Sequence, residues 1–231
     1  GMNESVAYLC YRVTRRKEDM WLALIGCISD SFLPDFIDDF KEQYPEMIDA
    51  SYKSAMDILY KTQFGKVTQI VSFAMKDTTS NLITMIRFLM KAQGPHDLLE
   101  ETSATKTFLS RFRYINEKYQ KIIKKAEESM DGKIVFFTYA GDLSISQYIS
   151  NELFYKYPHK AIIVAFTRGN KANVSLRWYK DIRTATVNAI VSIEGSTGGG
   201  HEHASGAKIP VDKLQEFKEA LTKEIERIDK D

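Results

Sequence analysis

A run of three glycines followed by a histidine is the part of this sequence best suited to chemistry. Gly198, Gly199, Gly200 and His201 follow a segment of helical character and precede a short apolar strand pattern. Glycine lets the backbone approach a ligand closely, and successive backbone N–H groups in a turn can form a concave anion site. A histidine can hydrogen-bond a phosphate oxygen or donate a proton. The pattern predicts a phosphate-binding turn; the alternative is an ordinary flexible turn.

The residues after this run follow the order of a known motif. The glycine–histidine run 198–201 is followed by Ala-Ser-Gly at 204–206, by Ile-Pro at 209–210 and by an amphipathic segment. This order resembles the end of the DHH-associated domain of DHH-family phosphoesterases. That family includes RecJ-like single-strand exonucleases, oligoribonucleases, cyclic-dinucleotide phosphodiesterases and exopolyphosphatase-like proteins. The related C-terminal domain of alanyl-tRNA synthetases is a further alternative, which the helical N-terminal part disfavours.

The resemblance assigns roles to two polar residues of a predicted strand. Ser175 and Arg177 lie where the domain carries a Ser-x-Arg-like strand. By this resemblance Arg177 would hold a phosphate or stack on a base, and Ser175 would add a hydroxyl donor. A guanidinium suits phosphate because its N–H groups form a planar fork. The alternative is that Arg177 is a surface residue packed beside Trp178. The predicted phosphate-binding residues are Ser175, Arg177, Gly198, Gly199, Gly200 and His201.

Asp30 is a candidate metal ligand through a second resemblance. The segments 6–11 and 22–30 resemble the last helices of the DHH catalytic domain, which end in a metal-binding aspartate, and Asp30 matches that position. Carboxylates are good ligands for hard divalent cations. The alternative is a carboxylate that only terminates a helix. Alternating histidines at 201 and 203 also suggest zinc, but no cysteine pair or third histidine lies near them, which disfavours that metal.

The sequence departs from the DHH family in its metal-binding motifs. The family's earlier aspartate-rich motifs and its Asp-His-His tripeptide have no counterpart here. Those ligands are needed to generate a metal-activated hydroxide. The resemblance therefore implies the C-terminal portion of an enzyme that uses Mn or Mg when complete, or a non-catalytic nucleic-acid-binding relative of the RecJ group. We expect this chain alone to be inactive and not to bind metal tightly.

Two regions of different character must position these residues. Up to residue 101 apolar residues recur at three and four positions, which predicts a mostly helical end of a catalytic domain. Residues 102–130 predict a long, charged connecting helix. From 131 to 231 strand patterns alternate with helical ones, which predicts an α/β DHH-associated domain. The predicted strands are 133–139, 161–166, 174–178 and 204–209, and the predicted helices are 145–155, 181–193 and 211–228.

Composition restricts the class of protein. Hydrophobic residues make up 44% and charged residues 27% of the chain, which is typical of a globular protein. The formal net charge is +1, so any contact with nucleic acid must come from a local patch. Cys10 and Cys27 lie in apolar helical patterns and are expected to be reduced core thiols of a cytoplasmic protein. The expected ligand is a nucleotide or short single-stranded oligonucleotide, with no membrane contact; a homodimer is a further expectation.

Overall fold

The chain divides into two structural units, and the boundary between them lies within one long helix. The computed structural model describes residues 4–49 and 51–230. The first unit is Gly1–Asn116 and the second is Glu117–Asp231, so the division falls within helix α7 (Lys106–Glu128). The predicted helical N-terminal part and α/β C-terminal part are confirmed. The separate connecting segment at 102–130 stays a prediction.

The first unit is built from short helices around a core of large apolar side chains. Its helices before α7 are α1 (Val6–Thr14), α2 (Met20–Ser29), α3 (Ile37–Gln43), α4 (Ala55–Lys61), α5 (Gln63–Ala74) and α6 (Thr79–Leu89). Trp21 of α2 and Phe73 of α5 are each only 1% exposed. Side-chain oxygens of Ser54, Thr62 and Thr78 accept backbone N–H groups at the starts of α4, α5 and α6. These caps explain where the three helices begin.

Helix α1 forms where the apolar pattern predicts it, but its apolar stripe is exposed. Val6 is 71% and Val13 is 84% exposed, whereas Tyr8 is buried. The opposite side of α1 packs on α2 so closely that a Cβ on Gly26 would lie 2.4 Å from the Cβ of Ala7. The contact between α1 and α2 therefore uses small residues rather than the apolar stripe.

The same arrangement corrects the prediction for one cysteine. Both thiols are free, but Cys10 on α1 is exposed, so the expectation of two core thiols is wrong for this residue. Cys27 on α2 is fully buried, and burial raises the pKa of its thiol to about 11. The sequence pattern did not distinguish the two faces of α1.

The second unit contains a five-stranded mixed sheet. Its strands are β1 (Ile134–Ala140), β2 (Ala161–Arg168), β3 (Lys171–Arg177), β4 (Thr197–His201) and β5 (Ala204–Pro210). The order across the sheet is β1-β2-β3-β5-β4; β1 and β2 are parallel, and the other neighbours are antiparallel. The apolar run at the start of β2 is buried, as expected for a strand covered on both faces.

Helices cover the two faces of this sheet. Helix α8 (Ser146–Lys156) contacts β2 and β3 on one face. Helices α9 (Ile182–Ile190) and α10 (Leu214–Lys230) pack on the other, where Val174, Leu176 and Phe217 join one apolar core. None of the described helices combines the length and apolar character needed to span a bilayer.

The glycine run adopts a different structure from the predicted turn. Residues 198–201 belong to β4, an edge strand paired with β5, and the turn comes afterwards at Glu202 and His203. Gly199 and Gly200 have φ of +156° and +152°. A Cβ on Gly200 would lie 2.5 Å from the carbonyl oxygen of Ala204. The prediction of a turn is therefore wrong: the glycines permit close strand pairing instead.

Candidate phosphate-binding site

Cross-strand pairing places two of the predicted phosphate-binding residues, Arg177 and His201, in one row across the sheet. Arg177 of β3 lies opposite Ala204 of β5, and Ala204 lies opposite His201 of β4. Residues directly opposite each other on neighbouring strands point to the same face. Two strand spacings separate the ends of the row, so the backbones of Arg177 and His201 lie about 10 Å apart. The two side chains thus flank a small alanine.

The adjacent row consists of one serine and two glycines, so it forms a floor of the site without bulky side chains. Ser175 lies opposite Gly206, and Gly206 lies opposite Gly199. Because strand residues two apart share a face, this row points to the same side as Arg177 and His201. A Cβ on Gly199 would meet no atom within 4 Å, so the space above it is open. The two rows form an open, shallow site with polar side chains at its margins.

Gly198 and Gly200 have a different role, because alternation along the strand places them towards the other face. A Cβ on Gly198 would lie 3.2 Å from Cδ1 of Ile190 in α9 and 2.9 Å from the oxygen of Gly206. Gly200 meets the backbone of β5 as described above. Their backbones remain near the site, but their missing side chains serve packing. Their part in phosphate binding stays a prediction.

The guanidinium of Arg177 is held by neighbouring polar atoms. Its Nε donates to Oδ1 of Asn151 at 2.7 Å, and one terminal nitrogen donates to the carbonyl of Leu176 at 2.7 Å. The same nitrogen lies 3.5 Å from the carbonyl of Ser205. Asn151 belongs to α8 and was missed in the sequence, because nothing local links it to a residue 26 positions away. Its contact with Arg177 arises only when α8 packs on the sheet.

Ser175 is paired with another hydroxyl that the sequence did not indicate. Its Oγ lies 2.9 Å from Oγ of Ser146, the first residue of α8, and either atom can be the donor. Each serine hydroxyl carries one proton. Their mutual hydrogen bond uses one of the two, which leaves one hydroxyl donor for the pair. Ser175 therefore acts together with Ser146 rather than alone.

A buried tyrosine fixes the start of α8. The hydroxyl of Tyr139 accepts the backbone N–H of Ile145 at 2.8 Å, and both side chains are buried. Burial raises the pKa of Tyr139 to about 12. The phenol therefore stays neutral near neutral pH and holds the residue before the helix. Ser146 and Asn151 derive their positions from this helix.

His203 belongs to the hairpin turn between β4 and β5, which docks on α9, whereas His201 ends β4. The carbonyl of Glu202 accepts the N–H of Ile182 at 2.8 Å, and the carbonyl of His203 accepts the N–H of Trp178 at 3.2 Å. Within residues 4–49 and 51–230, no group of three or more His, Cys, Asp or Glu side chains is placed to hold a metal ion.

Asp30 lies at the C-terminal end of α2 in the first unit. Its side chain is exposed and accepts a hydrogen bond from the hydroxyl of Ser5 at 2.7 Å. Mg²⁺ and Mn²⁺ need several oxygen ligands, and the described residues place no such group around this carboxylate. Asp30 alone does not fit a divalent cation, and its role as a ligand stays a prediction.

Comparison with known proteins identifies the region that contains the site. Residues 133–227 match the family model of the DHHA1 domain, which covers β1 to most of α10. The C-terminal region is thus similar in sequence to the DHHA1 domain and is called the DHHA1 domain below. The recognition of a DHH-family, RecJ-like C-terminal part is therefore confirmed. No curated protein sequence matches the chain.

Solved structures share the fold over most of this chain. RecJ from Thermus thermophilus in complex with Mg²⁺ has a TM-score of 0.58 at 14% identity, over 93% of this chain and 36% of RecJ. Its complex with Mn²⁺ has a TM-score of 0.57 at 13% identity, over 93% and 34%. A pGpG-specific phosphodiesterase from Vibrio cholerae has a TM-score of 0.53 at 12% identity, over 87% and 70%. These identities show a shared fold, and the chain spans about a third of RecJ.

Two lysines of α7 are paired with carboxylates. Among the residues assigned to the second unit, Lys121 pairs with Glu117 at 2.6 Å and Lys118 pairs with Asp142 at 2.7 Å. Lys121 and Glu117 are both 69% exposed in their side chains, so solvent screens the pair strongly. This surface is typical of a solvated helix face.

A cavity of about 620 Å³ lies elsewhere in the second unit, between β1 and α10. Its lining includes Phe136, Lys133 and Asp229 and none of the predicted phosphate-binding residues. Asp229 pairs with Lys133 at 3.1 Å and with Lys180 at 3.3 Å, and the first of these partners lowers its pKa most. We assign no ligand to this cavity.

Proposed function

We propose that this chain is the C-terminal portion of a DHH-family phosphoesterase and binds phosphate groups of nucleotides or short single-stranded oligonucleotides. The supporting observation is the face of the DHHA1 domain where Arg177 and His201 flank Ala204, beside the open backbone of Gly199. In this proposal residues 1–101 form the end of the catalytic domain and 131–231 form the substrate-binding domain.

Each part of the face has a defined task in the proposal. Arg177 presents N–H donors to phosphate, and hydrogen bonds to a charged group are stronger than those between neutral groups. Gly199 admits the ligand close to the strand because it has no side chain. His201 donates a further hydrogen bond from the opposite margin. The hydroxyl left over from Ser175 and Ser146 adds a donor on the α8 side.

Hydrolysis is assigned to the complete protein rather than to the described residues. RecJ was solved in complex with Mg²⁺ and with Mn²⁺, and such an ion generates the attacking hydroxide when a full ligand set holds it. Asp30 would contribute one ligand of that set. We expect this chain alone to show no turnover of a dinucleotide above background when Mn²⁺ is added. Metal-dependent turnover that a chelator abolishes would contradict this expectation.

A non-catalytic nucleic-acid-binding relative of the RecJ group is the second candidate. The observation that favours it is that, in the part of the chain that the structure describes, Asp30 belongs to no group of three or more His, Cys, Asp or Glu side chains placed to hold a metal ion. Both candidates need the same phosphate-binding face. The two candidates are distinguished by expressing the protein from its full natural reading frame and measuring whether added Mn²⁺ produces cleavage of a bound oligonucleotide.

Binding by point variants tests the proposed site. A fluorescent, 5′-phosphorylated dinucleotide is titrated against the protein and against Arg177→Ala and His201→Ala at two salt concentrations. Loss of a hydrogen bond to a charged group weakens binding by about 1.5–3 kcal/mol, so we expect a loss of roughly 10- to 150-fold for Arg177→Ala. Lys121→Ala is the control. A larger loss from Lys121→Ala than from both site variants would place the binding surface on α7 and refute the assignment.

A further inference from the structure

Helix α8 contacts the Arg177 guanidinium through a neutral amide. Nε of Arg177 donates to Oδ1 of Asn151 at 2.7 Å, and a terminal nitrogen of the same group donates to the carbonyl of Leu176 at 2.7 Å. A guanidinium is planar, so two fixed nitrogens define the orientation of the whole group. The contact is supported by a rigid element, because Ile149 and Leu153 of α8 are fully buried.

We propose that Asn151 is a positioning residue: it orients the Arg177 guanidinium for phosphate and does so without a negative charge. This inference rests on the proposed function of the face. An acidic residue at position 151 would hold Arg177 at least as firmly, but its charge would oppose an incoming phosphate. An amide oxygen provides the acceptor and leaves the attraction for the anion in place.

The neighbouring residue shows how charge is handled on the same helix. Glu152 is buried, and its carboxylate accepts the hydroxyl of Tyr119 and pairs with Lys156 at 2.8 Å. This acidic group is compensated by partners of its own, whereas position 151, which contacts Arg177, is neutral. The residue that contacts Arg177, Asn151, is therefore neutral, and the acidic residue next to it, Glu152, contacts other partners.

Asn151 also carries donors that can reach a ligand. Its oxygen is occupied by Arg177, and its amide nitrogen donates to no protein atom within the described ranges 4–49 and 51–230. A primary amide nitrogen carries two N–H donors. These donors are available to a phosphate or base held by Arg177. Asn151 thus joins the ligand-binding surface as well as orienting the arginine.

The first test needs no ligand. The Nε–H signal of Arg177 is followed by ¹⁵N-resolved NMR in the protein and in Asn151→Ala and Asn151→Asp. We expect slow exchange with water in the parent protein and in Asn151→Asp, and accelerated exchange in Asn151→Ala. An Nε–H signal in Asn151→Ala that exchanges as slowly as in the parent would overturn the orienting role.

The second test separates orientation from charge by measuring stability and binding together. For the 5′-phosphorylated dinucleotide we expect Asn151→Asp to raise the Kd about tenfold or more while the thermal midpoint stays equal or rises. Asn151→Ala should raise the Kd less, by about three- to tenfold. Asn173→Asp is the matched control, since it adds one charge to the same face about 13 Å along β3 and should change the Kd by no more than about twofold.

The Arg177→Ala background distinguishes the two proposals. There, Asn151→Asp should have no more effect than Asn173→Asp, because coupled residues lose their interaction when one partner is removed. If Arg177→Ala weakens binding but Asn151→Asp behaves like Asn173→Asp in the parent protein, the positioning role is refuted and the proposed function stands. If Arg177→Ala leaves the Kd unchanged, the proposed function fails and the role of Asn151 fails with it.

Discussion

Two adjacent glycines of β4 should differ in what an added methyl group does to stability. At Gly200 the φ of +152° strains any other residue by about 1–3 kcal/mol. A Cβ there would also lie 2.5 Å from the oxygen of Ala204 and 2.8 Å from Cα of Ser205, and such overpacking adds about 1–3 kcal/mol. Gly200→Ala should therefore lower the free energy of unfolding by about 2–6 kcal/mol.

Gly199→Ala should cause only the backbone strain and not the steric overlap. Its φ of +156° imposes about 1–3 kcal/mol, but its Cβ would meet no atom within 4 Å. The larger effect of Gly199→Ala should be on ligand binding, since the methyl group would occupy the open floor of the site. Gly200→Ala should instead act mainly through stability.

The measurement uses the position of the two tryptophans. Trp178 lies in the second unit, is 2% exposed, and donates its backbone N–H to the hairpin between β4 and β5. In a Trp21→Phe background its fluorescence follows urea unfolding of that unit alone, and the glycine variants are compared there. A Gly200→Ala protein as stable as its parent, or one less affected than Gly199→Ala, would refute the steric argument.

Three further outcomes follow from buried and capping groups. Tyr139→Phe leaves the buried N–H of Ile145 without its acceptor and should lower the free energy of unfolding by about 1–3 kcal/mol, measured by urea denaturation. Asp181 caps α9, and its hydrogen bonds lower its pKa. Asp181→Ala should therefore lower the free energy of unfolding by about 1 kcal/mol at pH 7, and this loss should shrink as the pH falls below about 4. A loss that does not depend on pH would contradict this prediction. Cys10 is exposed and should react rapidly with a thiol reagent, whereas the buried Cys27 should react only after unfolding. Equal reaction rates would contradict this difference in exposure.

The regular elements of the DHHA1 domain were predictable because their apolar patterns are strong. The predicted strand 161–166 lies within β2, and the predicted helix 145–155 differs from α8 by one residue at each end. The structure of the glycine run was not predictable from propensity. Glycine is depleted in strands, so pairing with β5 decides the structure there.

Two residues of the candidate site were proposed from the sequence: His201 from the glycine–histidine run and Arg177 from the family resemblance. The register of three strands brings them to one face, and their role in binding stays a prediction. Asn151 and Ser146 carry no local signal, because their contacts depend on packing between α8 and β3. The exposure of Cys10 was missed for a related reason: helical periodicity identifies an apolar stripe but not the element that covers it.

Mapping where a ligand protects the backbone tests the central claim most directly. Hydrogen–deuterium exchange is measured by mass spectrometry with and without a saturating 5′-phosphorylated dinucleotide, at a salt concentration that screens exposed charges. The account predicts slower exchange in peptides that cover Thr197–His201 and Lys171–Arg177, with no change in peptides from Lys106–Glu128. Slower exchange confined to Lys106–Glu128 would contradict it and would place nucleotide binding on α7.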